Sequence, residues 1–288
     1  MKYAFVRAHD HEFRIRSMCR VLGVSRSGYY AWRERPLSPR SQANRQLVSE
    51  IRRVHDAARG VYGALKTWQQ LRAQGIRCGK HRVARLRRLA GIAATRRRRF
   101  QVTTRSRKGQ GVTPDLVRRG FTAPAPNRVW VGDVTCVPTQ EGWLYVAVLL
   151  DLYSRKVVGW AMSDRINTAL VLRALHMAIL TRQPTPGLIH HTDRGAIYAA
   201  QEYRALLAAH GVAASMGHTG DCYDNAVAEN FFSTVKNELT LEQRYASRRD
   251  AQTALFEYIE VFYNRQRIHQ TLGYRSPQHV EEQALSLN

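Results

Sequence analysis

Paired cysteines are missing from this 288-residue chain: Cys19, Cys78, Cys136 and Cys222 stand far apart, so no CxxC zinc signature exists and a reduced intracellular setting fits. His9, His11 and Cys19 lie near one another in sequence, but without a second neighbouring cysteine they make no zinc set. Long apolar runs are also missing. No stretch reaches the ~18 residues of a membrane span, and the opening MKYAFVRAHDHEF lacks the apolar core of a secretory signal. Acidic residues are scarce in the first part. Residues 1–120 hold 30 Lys+Arg against 6 Asp+Glu, a net of +24; residues 121–288 hold 15 against 16, a net of −1. The whole formal charge of +23 therefore comes from the first part, and a polyanion, nucleic acid rather than a membrane surface, is the simplest partner. A cytoplasmic, nucleoid-associated protein is expected.

What is present divides the chain. A length of 288 residues suggests about two domains at roughly 150 residues each, and an apolar fraction of 44% allows a sizeable core. Residues 13–33 read as two short helices around a bend at Leu22, Gly23 and Val24, with Ser25 as N-cap of the second. Such a helix-turn-helix can lay its second helix in the major groove. Pro36 and Pro39 are read as chain breaks. Ala43, Leu47, Ile51, Val54 and Ala58 recur at helical spacing, a second helix carries Leu65, Trp68 and Leu71 and stops at Gly75, and a third spans 79–90. On that third helix Val83, Leu86 and Leu89 are expected to face inward, and Lys80, Arg82, Arg85, Arg87 and Arg88 outward onto phosphates. Residues 94–111 read as a basic linker that orders on DNA, with Arg96, Arg97, Arg98 and Arg99 bound to a phosphate run or inserted into a narrow minor groove.

At Pro124 the composition changes. Residues 128–138, 142–151 and 156–162 read as strands, 167–183 as a helix, 188–192 as a strand, 200–209 as a helix and 213–216 as a short strand. A helix with Glu229 and a long helix over 249–264 come after these. The order βββαβαβα fits an α/β fold with a mixed sheet covered by helices. Five segments result: a helix-turn-helix segment 1–35, a basic three-helix domain 36–94, a basic linker 95–120, a catalytic core 121–240, and a C-terminal helix and tail 241–288.

Three acids stand out. Asp133 lies mid-strand in VWVGDVTCVPT, on one face with Val129, Val131 and Thr135. Asp193 ends the stretch GLIHHTD, and Glu229 sits in the helical run DNAVAENFFSTVKNEL. Taken singly, each has an ordinary reading: a strand-edge residue, a turn, a solvated helix residue. Brought together, such carboxylates make an oxygen-rich pocket for Mg²⁺ or Mn²⁺, and two such ions roughly 4 Å apart can clamp a phosphodiester. Asn225, Glu229 and Lys236 share one helical face.

The strings WVGDVTCVPT, EGWLYVAVLLDLYSRKVVGWAM, HTDRGAIYAA, GDCYDNAVAENFFSTVKNEL and YNRQRIHQTLGYRSP together resemble the DDE transposase family, most closely the second-frame product of insertion-sequence-three family elements. The resemblance covers essentially the whole chain. It implies an RNase H-like integrase core, preceded by small all-α helix-turn-helix DNA-binding regions. It implies that Asp133, Asp193 and Glu229 are the DDE triad, holding two Mg²⁺ or Mn²⁺ ions, and that Lys236 is the basic residue two turns past the glutamate. Lys236 and Arg194 would then contact DNA near the cut with Asn225 in support; Tyr263, Arg265 and Arg267 are further DNA candidates, with a core position the alternative for Tyr263. The implied activity is metal-dependent 3′-end cleavage and strand transfer on double-stranded DNA, through a circular intermediate, by a homo-oligomer that in this family often joins a first-frame product. Cys136 stands where a tyrosine is expected, and Ala196-Ile197 where Ser-Gln is common; neither replaces an acid. The rivals are a metal-dependent nuclease without strand transfer and a DNA-binding regulator derived from a transposase.

Overall fold

The computed structural model describes residues 1–36, 38–95, 113–117, 122–217, 226–240 and 245–286. It separates into two compact units, Met1–Arg52 and Arg53–Asn288. The basic linker with Arg96 to Arg99, and Asn225, lie outside the described residues.

In the first unit, helices α1 (Lys2–Ala8), α2 (Ile15–Val21) and α3 (Arg26–Glu34) enclose Val6, Met18, Cys19 and Tyr29, with Tyr3, Ile15, Leu22, Val24 and Trp32 packed around them. Helix α1 is additional to the two helices read from the sequence. Cys19 is a core side chain. The bend before α3 turns on Gly23, whose φ of +63° lies in the left-handed region that favours glycine; nothing lies near its missing Cβ, so conformation rather than space selects it. Ser25 accepts a hydrogen bond from Gly28 N–H at 2.9 Å, the N-cap expected of it. Pro39, expected to break the chain, instead opens α4 (Pro39–Ala57). The first helical residue has no use for an N–H, and Ser38 Oγ accepts from Ser41 N–H at 3.2 Å to cap the turn.

In the second unit, α5 (Ala64–Ala73) packs on α6 (Lys80–Leu89). Here the side chains differ from the expectation. Val83, Leu86 and Arg87 are buried, whereas Leu89 is 70% exposed. Steps of three residues drift about 60° per turn off a fixed face, so the helix buries positions 83, 86 and 87 and turns 89 outward. Arg87 is no phosphate ligand: its guanidinium donates to Thr67 Oγ1 at 2.8 Å and to the Tyr62 carbonyl at 2.9 Å. Leu65 is likewise exposed, and Thr67 takes the inner position.

The sheet has five strands: β1 (Val129–Thr139), β2 (Gly142–Asp151), β3 (Val157–Ser163), β4 (Ile189–Thr192) and β5 (Ala213–Met216). Their order is β3-β2-β1-β4-β5. The β1–β2 and β2–β3 pairs are antiparallel; β1–β4 and β4–β5 are parallel. The sheet is thus mixed, as the element order requires. Helix α7 (Thr168–Arg182) covers β3 and β2, capped by Asn167, whose Oδ1 accepts from Leu170 N–H at 3.0 Å. Its Leu170, Val171, Leu175 and Ile179 are buried, contributing roughly 6–12 kcal/mol of hydrophobic free energy together. Contact is so close that a Cβ on Gly159 would stand 2.7 Å from Ala178 Cβ and 2.9 Å from its backbone N. Helices α8 (Ala196–Ala199) and α9 (Gln201–Ala209) lead to β5, and α10 (Ala226–Val235) returns against β1. Their buried Tyr198, Tyr203 and Leu207, with Met216 of β5, join Trp130, Leu149 and Leu188 in one core.

The expected long helix over 249–264 is α11 (Arg248–Phe256) running directly into a π-helical segment, Glu257–Gln266. A second π-helical segment, Lys236–Thr240, continues α10. The region read as a tail forms α12 (Pro277–Ser286), and Ser276 Oγ accepts from His279 N–H at 3.3 Å at its start. Glu281 on α12 is buried. It receives Arg182 Nη1 at 2.7 Å and Nη2 at 2.8 Å, Ser154 Oγ at 2.8 Å and Lys156 Nζ at 3.1 Å. Burial opposes its charge, yet Arg182, Lys156 and Ser154 hold the carboxyl below the usual carboxylate range.

Candidate active site

The parallel β1–β4 pairing positions the two aspartates. Its register runs Val129↔Ile189, Trp130↔His190 and Val131↔His191. Carried two residues further, the same offset sets Asp133 opposite Asp193, one at mid-strand and the other just past the end of β4. The strands stay close at the step between: a Cβ on Gly132 would stand 3.3 Å from Thr192 Cγ2. A strand end beside a continuing neighbour is a place where a sheet presents side chains to a cleft. Each carboxylate is held by a backbone donor. Val134 N–H donates to Asp133 Oδ1 at 2.7 Å, and Gly195 N–H to Asp193 Oδ1 at 3.1 Å.

Helix α10 brings Glu229, in its first turn, and then Lys236 at the start of the π-helical segment, and both act electrostatically on Asp133. The Asp133 carboxyl is pushed up to about 7, first by burial and then by the neighbouring Asp193 charge, against the Val134 hydrogen bond; Glu229 adds to the rise and Lys236 counters it. Asp193 and Glu229 are surface-exposed residues, yet partial desolvation of their carboxyls raises both, against the Gly195 hydrogen bond at Asp193. Like charges thus crowd one carboxylate, an arrangement that a divalent cation would relieve. The donors are all carboxylate oxygens, the chemistry that suits Mg²⁺ or Mn²⁺. Asp133 lies within β1 and Asp193 just past the end of β4, close enough that Asp193 and then Glu229 are felt at Asp133. Among the described residues, however, no three His, Cys, Asp or Glu side chains are gathered tightly enough to hold an ion as one group.

Tyr198 on α8 is a participant that the sequence reading missed. It is buried, and its hydroxyl is raised well above the usual tyrosine value by burial, then by Asp133, Tyr203 and Asp193. Its place in HTDRGAIYAA was visible, but only the turn at Gly195 brings it close enough for the two aspartates to act on it. The adjoining His190 and His191 serve the sheet. His190 Nε2 pairs with Tyr203 Oη at 2.8 Å, and burial lowers its ring to about 3; His191 Nδ1 pairs with Ser215 Oγ at 2.8 Å.

The other site residues are dispersed. Lys80, Arg85 and Arg88 are exposed on α6, with Arg82 half-buried beside them. Arg194 Nε donates to the Gly217 carbonyl at 2.7 Å, which ties the Asp193 turn to the end of β5. Arg267 corrects the expectation of a DNA contact. It is buried, and Glu238 takes both edges of its fork, with Nη2 to Oε1 at 2.6 Å and Nε to Oε2 at 2.8 Å. Its guanidinium also lies over the Tyr263 ring at 5.9 Å, and Tyr263 is itself core. Arg265 is exposed.

The strained Asp133 charge has a measurable sign. Its folded value of about 7 lies above the ordinary 3.8, so the folded state binds this proton more tightly than the unfolded chain. Without divalent ions, stability should rise as pH falls from 7.5 towards 5, and Asp133→Asn should raise the melting temperature at pH 7.5 and remove that gain. For a half-buried group the expected effect is on the order of 1–3 kcal/mol. Calorimetric melting in a chelator at both pH values checks it; a lower melting temperature for the variant would mean that the charge is stabilised rather than strained. Mg²⁺ competes with the same proton, so its apparent affinity should fall below pH 7.

The chain resembles known proteins along nearly its whole length. Residues 123–222 and 210–277 match integrase core domain families, and residues 42–100 match an HTH-like domain family. A 31 kDa protein of insertion element IS600 from Shigella sonnei is 44% identical over 260 residues, 90% of this chain and 96% of its own. The transposase InsF of insertion sequence IS3A from Escherichia coli K12 is 40% identical over 288 residues, 99% of this chain and 100% of its own. Among solved structures, the HTLV-2 integrase catalytic core in complex with magnesium overlaps 55% of this chain and 98% of its own, with a TM-score of 0.43 and 18% identity. At 40% identity from end to end with the InsF transposases, and with an integrase core behind an HTH-like domain, the chain belongs to the IS3 family of transposases.

Proposed function

We propose that this transposase cuts DNA to free a 3′-hydroxyl and joins that end to target DNA by direct phosphoryl transfer, at a site formed by Asp133, Asp193 and Glu229. The observation that carries the reading is Asp133: a half-buried carboxylate crowded by Asp193 and Glu229, with Lys236 the counter-charge acting on it. These three carboxylates would hold two Mg²⁺ or Mn²⁺ ions, which supply charge stabilisation to the phosphate and activation of the attacking hydroxyl. The chain's own groups do the rest. Val134 and Gly195 N–H groups aim the aspartates. Lys236 attracts the phosphate on the Glu229 side, with Arg194, tied to the Gly217 carbonyl, and Asn225 as further DNA contacts. The attacking oxygen, of water first and of the 3′ end next, gives up a proton, and the departing 3′-oxygen regains one. No protein side chain is consumed. Tyr198 is buried and its hydroxyl held protonated, which suits it to support the aspartates and not to attack.

Lys80, Arg82, Arg85 and Arg88 on α6, with Arg96 to Arg99 beyond it, supply the phosphate contacts that hold element ends in this reading. Two ends joined in one reaction call for two active sites, hence a homo-oligomer, in which a first-frame product of the same element can share end recognition. The setting is the cytoplasm, on the nucleoid.

Labelled DNA taken from the sequence flanking the gene, incubated with the protein and Mg²⁺, should yield a nicked strand with a free 3′-hydroxyl and, with target present, a joined product. Hydrolysis without joining would make the chain a nuclease, and binding without cutting a regulator.

A further inference from the structure

The buried pair Glu238–Arg267 has no part in the chemistry above, yet it grips the backbone that carries it. Helix α10 ends at Val235, and Lys236–Thr240 continue it with π-helical winding. A π turn holds one residue more than an α turn and so rotates the helix on its N-terminal side relative to the chain on its C-terminal side. The bearing of Glu229 and Lys236 on the sheet therefore depends on where that wide turn is fastened. Glu238 lies inside it. Its Oε1 accepts Arg267 Nη2 at 2.6 Å, and its Oε2 accepts Arg267 Nε at 2.8 Å and Tyr258 Oη at 2.7 Å.

The opposing side is a second wide turn. Tyr258 belongs to the π-helical segment Glu257–Gln266, and Arg267 comes directly after its last residue. That side is itself fastened: Arg267 N–H donates to the Phe262 carbonyl at 2.7 Å, and Ile268 N–H to Tyr62 Oη at 2.8 Å. A line of rings runs back to α10. The Arg267 guanidinium lies over Tyr263, and Tyr263 meets Phe231 edge-on at 4.8 Å. Phe231 is two residues past Glu229.

Stability alone does not account for this choice of residues. The two side chains are 10% and 5% exposed, and desolvating two charges offsets most of their attraction, so a well-packed apolar pair would hold the fold as firmly. What a bidentate fork adds is direction. We infer that Glu238 and Arg267 are positioning residues, a clamp between the two π-helical segments that sets where Glu229 and Lys236 stand over the aspartates. The inference rests on the reading of Asp133, Asp193 and Glu229 as the metal-holding acids.

Full-length Glu238→Gln, Arg267→Lys and the paired Glu238→Met/Arg267→Met variants test it, with Glu229→Gln as reference. Two readouts are needed: Mn²⁺ affinity by titration calorimetry without DNA, and the Mg²⁺ concentration for half-maximal cleavage. Loss of folded protein lowers the amplitude of both without moving either midpoint. A displaced Glu229 moves both midpoints. The clamp predicts Mn²⁺ affinity about tenfold or more weaker in all three variants, with a matching rise in the Mg²⁺ requirement and unchanged DNA affinity. A folded apolar pair with wild-type Mn²⁺ affinity would overturn it; should that pair not fold, Arg267→Lys, which keeps the charge and loses the fork, decides by the same midpoints. If Glu229→Gln itself leaves Mn²⁺ affinity unchanged, the assignment of the acids fails. If Glu229→Gln weakens it and the clamp variants do not, only the clamp fails.

Discussion

Glu229→Gln should reduce joining of a labelled 3′ end to target DNA by about 10³-fold or more while leaving affinity for the same DNA nearly unchanged. The amide keeps the shape of the side chain and one acceptor oxygen but removes the charge. An ion polarising a transferring phosphate is worth several kcal/mol in the transition state, and each 1.36 kcal/mol is tenfold in rate. Glu229 is the sharpest of the three positions to test, because it is exposed at the start of its helix and its replacement should cost little stability. Asp133→Asn and Asp193→Asn should cost as much in rate. The double variant of Asp133 and Glu229 should be scarcely worse than either alone, since groups that act as a unit do not add. Gel quantification of joined product, with fluorescence anisotropy on the same DNA, reads both quantities. Retention of joining within tenfold by Glu229→Gln would remove the third acid from the mechanism and leave the aspartate pair to explain the rate.

The second large effect is on salt. The net of +24 in residues 1–120 predicts DNA binding that releases many counterions. With 6–10 phosphates neutralised, affinity should fall about 10³–10⁵-fold between 50 and 200 mM salt. Each basic side chain in contact contributes about −0.9 to the slope of log affinity against log salt. Replacing Lys80, Arg85 and Arg88 together by Ala should therefore lower the magnitude of the slope by about 2.7 and weaken binding to specific and random duplexes alike. Arg87→Ala is the internal control for the corrected face of α6. It breaks the bonds to Thr67 and Tyr62, so it should lower the melting temperature and leave the slope alone. An unchanged slope in the triple variant would move phosphate contact off this helix.

The parts of the molecule that are legible in the sequence are those in which one physical cause dominates. Strands β1 to β3 are dense in Val, Leu, Trp and Tyr and separated by turn residues, so periodicity finds them within a residue or two. Asp133 and Asp193 stand out because a charge in or beside an apolar strand demands a partner. The errors arise where one more residue, or one distant residue, decides. On α6 an apolar spacing in steps of three points to 83, 86 and 89, and the helix buries 83, 86 and 87. The π-helical segments leave no mark in composition, since an extra residue per turn changes no hydrophobic count. Arg267 stands among aromatic and basic neighbours that resemble a DNA-binding run, and only the fold brings Glu238, 29 residues earlier, against it.

Glu281 has a consequence for biosynthesis. Its partners Ser154, Lys156 and Arg182 lie 127, 125 and 99 residues upstream. Each is complete and waiting long before its acceptor is translated. Docking of α12 therefore joins segments 99 to 127 residues apart, contacts of high sequence separation of the kind that slow folding.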